Sequence, residues 1–139
     1  MEIKKTRIKE IILCFLVFII AGCQGPLSDG PDLVGGYALW AVDTRTQMNL
    51  VKKSSDGGAR GIVAPTVFAA GWNNDFIIVM QHPGDGFHPP DKFIINFYIL
   101  RLQDEKLFGP LTQEQFQEQR KLLGMPTDLD FKLVFQDLK

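Results

Sequence analysis

The stretch FIIVMQHPGDGFHPPDKFIINFYILRL, residues 76–102, holds two apolar runs separated by a segment of Pro, Gly, Asp and His. Residues 76–81 and 93–102 are rich in β-branched and aromatic side chains and are bounded by Asn-Asp and Pro-Asp, which is the composition of strands closed by turn residues. Strand side chains alternate between faces, so Phe93, Ile95, Phe97 and Ile99 share one side of the second run. Ile94, Asn96, Tyr98 and Leu100 share the other, wetter side. Pro83, Gly84, Gly86, Pro89 and Pro90 break any regular element between the runs, so the segment reads as the connection of an antiparallel hairpin.

Upstream, YALWAV at 37–42 follows a Gly pair and is apolar on both faces, and MNLVKK at 48–53 alternates. The two read as a hairpin closed across 43–47. KKSSDGGARG at 52–61 has the composition of a loop, and Pro65 divides the next apolar run into 62–64 and 66–72, which are expected as edge or bent strands. Downstream, residues 111–124 carry the signals of a helix. Thr112 is placed as N-cap with Gln115 completing a capping box, Leu111 and Phe116 have the spacing of a hydrophobic staple, and Gly124 and Pro126 end the run. The helix can lay down only a narrow apolar stripe of Phe116, Leu122 and Leu123. FKLVF at 131–135 alternates as a last strand. Strands first and a helix late imply an α+β fold: an antiparallel sheet of about five to six strands with one helix of the C-terminal half packed on it.

The connection at 82–91 contains both histidines of the chain. His82, Asp85, His88 and Asp91 together offer the nitrogen and oxygen ligands a divalent ion takes, but their spacing matches no metal signature, and an irregular loop with solvated polar side chains is the preferred reading. A nucleophilic hydrolase finds no support, because Ser28, Ser54 and Ser55 lie in a tether or a turn and no Gly-x-Ser-x-Gly is present. The carboxylate pairs Asp104-Glu105 and Asp128-x-Asp130 read as turn and surface charge, and Gly57-Gly58 as a hairpin turn lacking the Lys-Ser/Thr of a phosphate loop. Nothing calls for a cofactor. For binding, Trp40, Trp72 and Tyr98 are the candidates, being aromatic residues with a polar edge, and in a chain with 11 Phe the competing role is core.

At the amino end, Lys4, Lys5, Arg7 and Lys9 precede an uncharged apolar run at 11–21 that is too short to span a bilayer but fits a secretory signal. Ile20-Ala21-Gly22-Cys23 closes it and resembles the lipobox of bacterial lipoproteins, in which the cysteine is acylated before cleavage. That resemblance implies a signal peptide at 1–22, a lipid on Cys23, a Gly/Pro/Asp-rich tether at 23–36 and one globular domain at 37–139. Cys14 would be discarded and Cys23 consumed, leaving no thiol for redox or metal chemistry. Residues 1–22 carry four bases and two acids, so their removal takes the formal charge from −1 to −3. A mildly acidic domain without basic clusters is a poor partner for nucleic acid.

FIIVMQHP, FIINFYILRL and GPLTQEQFQEQRKLLGMP, a strand ending in Gln-His-Pro, a strand centred on Tyr98, then Gly-Pro-Leu-Thr and a helix carrying Phe116, resemble a family of small bacterial lipoproteins of unknown function. The resemblance implies a secreted, lipid-anchored α+β domain and carries no catalytic residue. The expectation is a non-enzymatic envelope lipoprotein, held at the membrane through Cys23 and facing the periplasm or exterior, that binds a protein, peptide or envelope component. A metal-binding protein or metal-dependent enzyme using the 82–91 loop is the second reading. An immunity or inhibitor lipoprotein is the third.

Overall fold

The computed structural model describes residues 30–139. The expected signal peptide, Cys23 and the expected tether as far as residue 29 lie outside the described residues. Eight antiparallel strands and one helix follow: β1 (Tyr37–Trp40), β2 (Asn49–Lys53), β3 (Ala59–Val63), β4 (Val67–Trp72), β5 (Phe76–Gln81), β6 (Asn96–Arg101), β7 (Lys106–Leu111), α1 (Gln113–Leu122) and β8 (Leu133–Val134). The α+β class and its antiparallel pairing are those expected, with the strands shared between a sheet of order β1-β2-β3 and a sheet of order β7-β6-β5-β4-β8.

The larger sheet is the middle of three layers. On one side, Ile77, Val79 and Leu100 pack with Leu39, Leu50 and Val63 of the smaller sheet. On the other, Phe76, Ile78 and Ile99 pack with Phe116 of α1 and with Met125 and Leu129 beyond it. Covering both faces explains why β5 reads as an unbroken apolar run rather than an alternating one, since every position along it but the partly buried Met80 is buried. Opposite pairs such as Ile78↔Ile99 and Ile77↔Leu100 fix its register with β6.

Pro65 marks where the chain changes sheet. Val63 ends β3 opposite Leu50, and Val67 opens β4 with its N–H donated to Met48 O at 2.7 Å, so backbone hydrogen bonding passes from one sheet to the other around the proline. The expectation of edge or bent strands holds for β3, which ends the smaller sheet. β4 instead lies between β5 and β8, because Phe131-Lys132-Leu133-Val134 returns to cover its outer side. The loop expected at 52–61 shrinks to a turn at 54–58, where Asp56 accepts from the Gly58 N–H at 2.9 Å and Gly57 has φ +86°.

Two other elements depart from expectation. The strand placed at 93–102 begins only at Asn96, since Asp91 accepts the N–H groups of Phe93 (Oδ1, 3.0 Å) and Ile94 (backbone O, 3.3 Å) and turns the chain away from the ladder. β7 is additional; Gly109-Pro110 hides it in the sequence, and its place at the sheet edge is where proline is tolerated. The helix forms as expected with its capping box, but only Phe116 is buried, and Leu122 points into solvent at 80 % exposure. Residues 30–36, assigned to the tether, lie along β1: Leu39 N–H donates to Pro31 O, and Leu33 N–H to Tyr37 O.

Candidate functional site

The β5–β6 connection does not assemble its four chemical side chains. His82 continues the β4–β5 ladder, exchanging backbone hydrogen bonds with Thr66 at 2.9 and 3.0 Å, and this turns its ring into the core, where it is 2 % exposed and stacked on Phe68 at 4.2 Å. Its Nδ1 bonds Ile94 O at 2.8 Å; a carbonyl only accepts, so Nδ1 carries the proton. Nε2 is buried without a partner. Asp85 and His88 lie outside on the loop, with the Asp85 carboxylate accepting the N–H of Phe87 and of His88 and meeting His88 Nδ1 at 2.7 Å. These bonds hold the Asp85 carboxyl far below its usual range, the His88 amide contributing most, and the Asp85 hydrogen bond raises His88. Asp91 caps its own turn. The residues read as a metal set are therefore separated by burial, and among the described residues no three His, Cys, Asp or Glu side chains are grouped to hold an ion.

The carboxylate pair Asp104-Glu105 is likewise divided. Arg101 chelates Asp104 through Nε and Nη2 at 2.8 and 2.7 Å and holds it at about 2. Glu105 accepts from Tyr37 Oη at 3.1 Å and pairs with Lys52, fastening the β6–β7 turn to the smaller sheet.

Of the three aromatic candidates, Trp40 lines open space. Leu39 and Leu50 are paired and face the core, so their neighbours Ala38, Trp40, Asn49 and Val51 face away from it. There Trp40, Val42, Val51, Gly61, Ile62 and Pro65 border an open, largely apolar groove of about 590 Å³. Trp40 also borders a smaller hollow of about 250 Å³ with Gly30, Asp32 and Lys53. Gly61 has no atom within 4 Å of where a Cβ would stand, so the β3 backbone is open from this side. Trp72 instead packs at the core margin under Lys132, whose Nζ lies 5.5 Å from the ring centroid and donates to Trp72 O at 2.8 Å. Tyr98 sits between Gln81 Oε1, 3.5 Å from its hydroxyl, and Gly109, where a Cβ would come within 2.4 Å of its ring; burial raises the Tyr98 hydroxyl.

The folded unit from Val34 to Lys139 is what comparison with known families recognises: the family described as "Protein of unknown function (DUF3997)" matches residues 34–139. The chain belongs to the DUF3997 family. No curated protein and no solved structure matches it. The DUF3997 match takes in every described strand, the helix, the groove and the β5–β6 connection, and it begins after Cys23, so the family assignment concerns the domain and not the residues before it. No helix among the described residues is long and apolar enough to cross a membrane.

Sequence reasoning did not find Val42, Gly61 and Ile62 as neighbours of Trp40, because the groove exists only once β1 and β3 stand on either side of β2. It also did not single out Phe87 and Phe93. These are 80 % and 102 % exposed, and their signal was two phenylalanines set on either side of Pro89-Pro90 in a segment with no apolar periodicity.

Proposed function

We propose that this DUF3997 protein is a lipid-anchored envelope protein, acylated on Cys23, whose smaller sheet binds an extended segment of a partner protein in the Trp40 groove. The observation that supports it best is the coincidence of an apolar groove with an unpaired strand edge. β3 ends its sheet, Gly61 leaves its backbone uncovered, and Trp40 with Ile62 offers apolar surface beside it. A strand added to such an edge gains backbone hydrogen bonds, and alternate side chains enter the groove. The groove presents no titratable side chain to do chemistry on what it binds, which favours binding over catalysis. The anchor rests on the basic flank, the short apolar run and Ile20-Ala21-Gly22-Cys23.

Selection of displayed random peptides against the chain, followed by amide hydrogen exchange, tests the groove. Selected peptides should slow exchange at β3 and lose affinity in Trp40→Ala. Peptides that protect β7 or α1 instead, or that bind Trp40→Ala equally well, would place the site elsewhere. Intact mass of the protein from a bacterial membrane fraction tests the anchor, which requires a diacylglyceryl-modified Cys23 and no residue 1–22.

A further inference from the structure

We propose that the β5–β6 connection is a second contact with the lipid bilayer, with Phe87 and Phe93 entering the boundary between headgroups and acyl chains; this rests on the reading of Cys23 as the anchor. Within nine residues the connection exposes Phe87 (80 %), Phe93 (102 %), Ile94 (48 %) and Ile95 (44 %). No other segment among the described residues exposes more than a single large apolar side chain, and clustered apolar exposure marks an interaction surface where scattered residues do not.

The side chains are held outward by the loop itself. Asp85 caps the N–H groups of Phe87 and His88, Asp91 caps Phe93, and the Asp91 N–H bonds Pro83 O at 3.0 Å. Thr46 Oγ1 donates to Gly86 O at 3.0 Å, the His82 ring bonds Ile94 O, and Lys92 Nζ reaches Lys139 O at 3.0 Å. An ordered loop loses little further freedom on entering an interface.

Position favours a membrane as the occupant. The described chain starts at Gly30, where an added Cβ would stand 2.2 Å from Leu39 O beside Trp40, and the Trp40 groove runs on to Pro65, whose Cγ would lie 3.4 Å from a Cβ added at Gly86. Gly30 and Phe87 thus stand near the two ends of one surface of the smaller sheet, which is three strands wide. Six residues lie between Cys23 and Gly30, seven Cα–Cα steps that reach at most about 25 Å. The bilayer holding the acyl chains is therefore within reach of the loop. The loop's charges are mixed, Asp85 and Asp91 against Lys92 and a raised His88, so the contact is apolar and does not require anionic lipid.

The full chain carrying Phe93→Trp, purified from bacterial membranes and reconstituted in phosphatidylcholine vesicles brominated in the upper acyl chain, provides the test. The fluorescence added over that of Trp40 and Trp72 should fall about two-fold and shift to the blue, and Phe87→Trp should behave alike. Leu122→Trp is the control, equally exposed but on the helix across the larger sheet, and its signal should be unaffected. An unmodified Cys23 in the mass spectrum would refute the anchor reading alone. Coupling that cysteine to a maleimide phospholipid, in a Cys14→Ala chain, restores the tether and lets the loop be judged separately. Phe93→Trp fluorescence open to aqueous acrylamide on tethered protein would overturn the proposal, as would equal quenching of Leu122→Trp or a dimer that Phe93→Ser dissociates.

Discussion

Replacement of His82 by Phe tests whether this histidine is a core residue or a ligand. The ring is 2 % exposed and stacks on Phe68 at an interplanar angle of 12°. Replacement by Phe keeps the stack and removes a buried, unpartnered Nε2; relief of an unsatisfied polar atom is worth about 1–3 kcal/mol. Against this stand the hydrogen bond to Ile94 O, a net loss of about 1 kcal/mol, and about 1 kcal/mol for fitting a larger ring into a packed site. Ile94 is half exposed, so its freed carbonyl can turn to water. His82→Phe should therefore stay within about 1 kcal/mol of the parent, while His82→Ala, which leaves a cavity under Phe68, should lose about 3 kcal/mol. Urea unfolding of both variants, followed by tryptophan fluorescence, measures the difference directly. If His82→Phe is as damaging as His82→Ala, Nε2 has a partner that matters, and the packing argument fails.

The Asp85–His88 pair carries a pH prediction. His88 is raised above 6.5 and Asp85 is lowered below 3.8, so the loop gains support from His88 below about pH 6.5 and loses it as His88 deprotonates; support from Asp85 is present above about pH 4 and fades in more acid solution. Amides of Phe87 and His88 should exchange most slowly between these limits, and Asp85→Asn should return the His88 NMR titration toward 6.5. Thr112→Ala removes the acceptor of the Gln115 N–H and should lower stability by about 1 kcal/mol, with Thr112→Ser retaining most of it. Gly71→Ala would set a Cβ 2.1 Å from Asp130 O and should cost about 2 kcal/mol or more, with hydrogen exchange at Leu133 and Val134 quickened first as β8 detaches.

What could be read in the sequence was whatever is encoded locally. The capping box of Thr112 and Gln115, the pairing of β1 with β2, and the apolar runs of β5 and β6 all follow from residues within a few positions of one another. The division into two sheets could not be read, because alternation tells which side chains share a face but not which strand lies beside which. Pro65 was visible as an interruption, yet only the Val67–Met48 hydrogen bond shows that it turns the chain from one sheet to the next. The histidines show the same limit. His82 directly follows the apolar run of β5, while Pro83 beside it suggests a loop. The ladder to Thr66 decides for the strand.

The smaller sheet is where the fold departs from the requirements of stability alone. A sheet that only roofs a core shows polar residues outward at every second position. Here the outward row Ala38, Val51 and Gly61 is small and apolar, and Trp40 stands beside it with Asn49 opposite as its polar neighbour. A longer side chain at Gly61, where no atom stands within 4 Å of a Cβ, would narrow the groove without touching Leu39 or Leu50, which pack on the inner face. The opening of the groove at Trp40 and Gly61 and the inner packing of Leu39 and Leu50 are thus set by different residues on the same three strands. This separation is what lets Trp40→Ala report on binding with little disturbance to the fold.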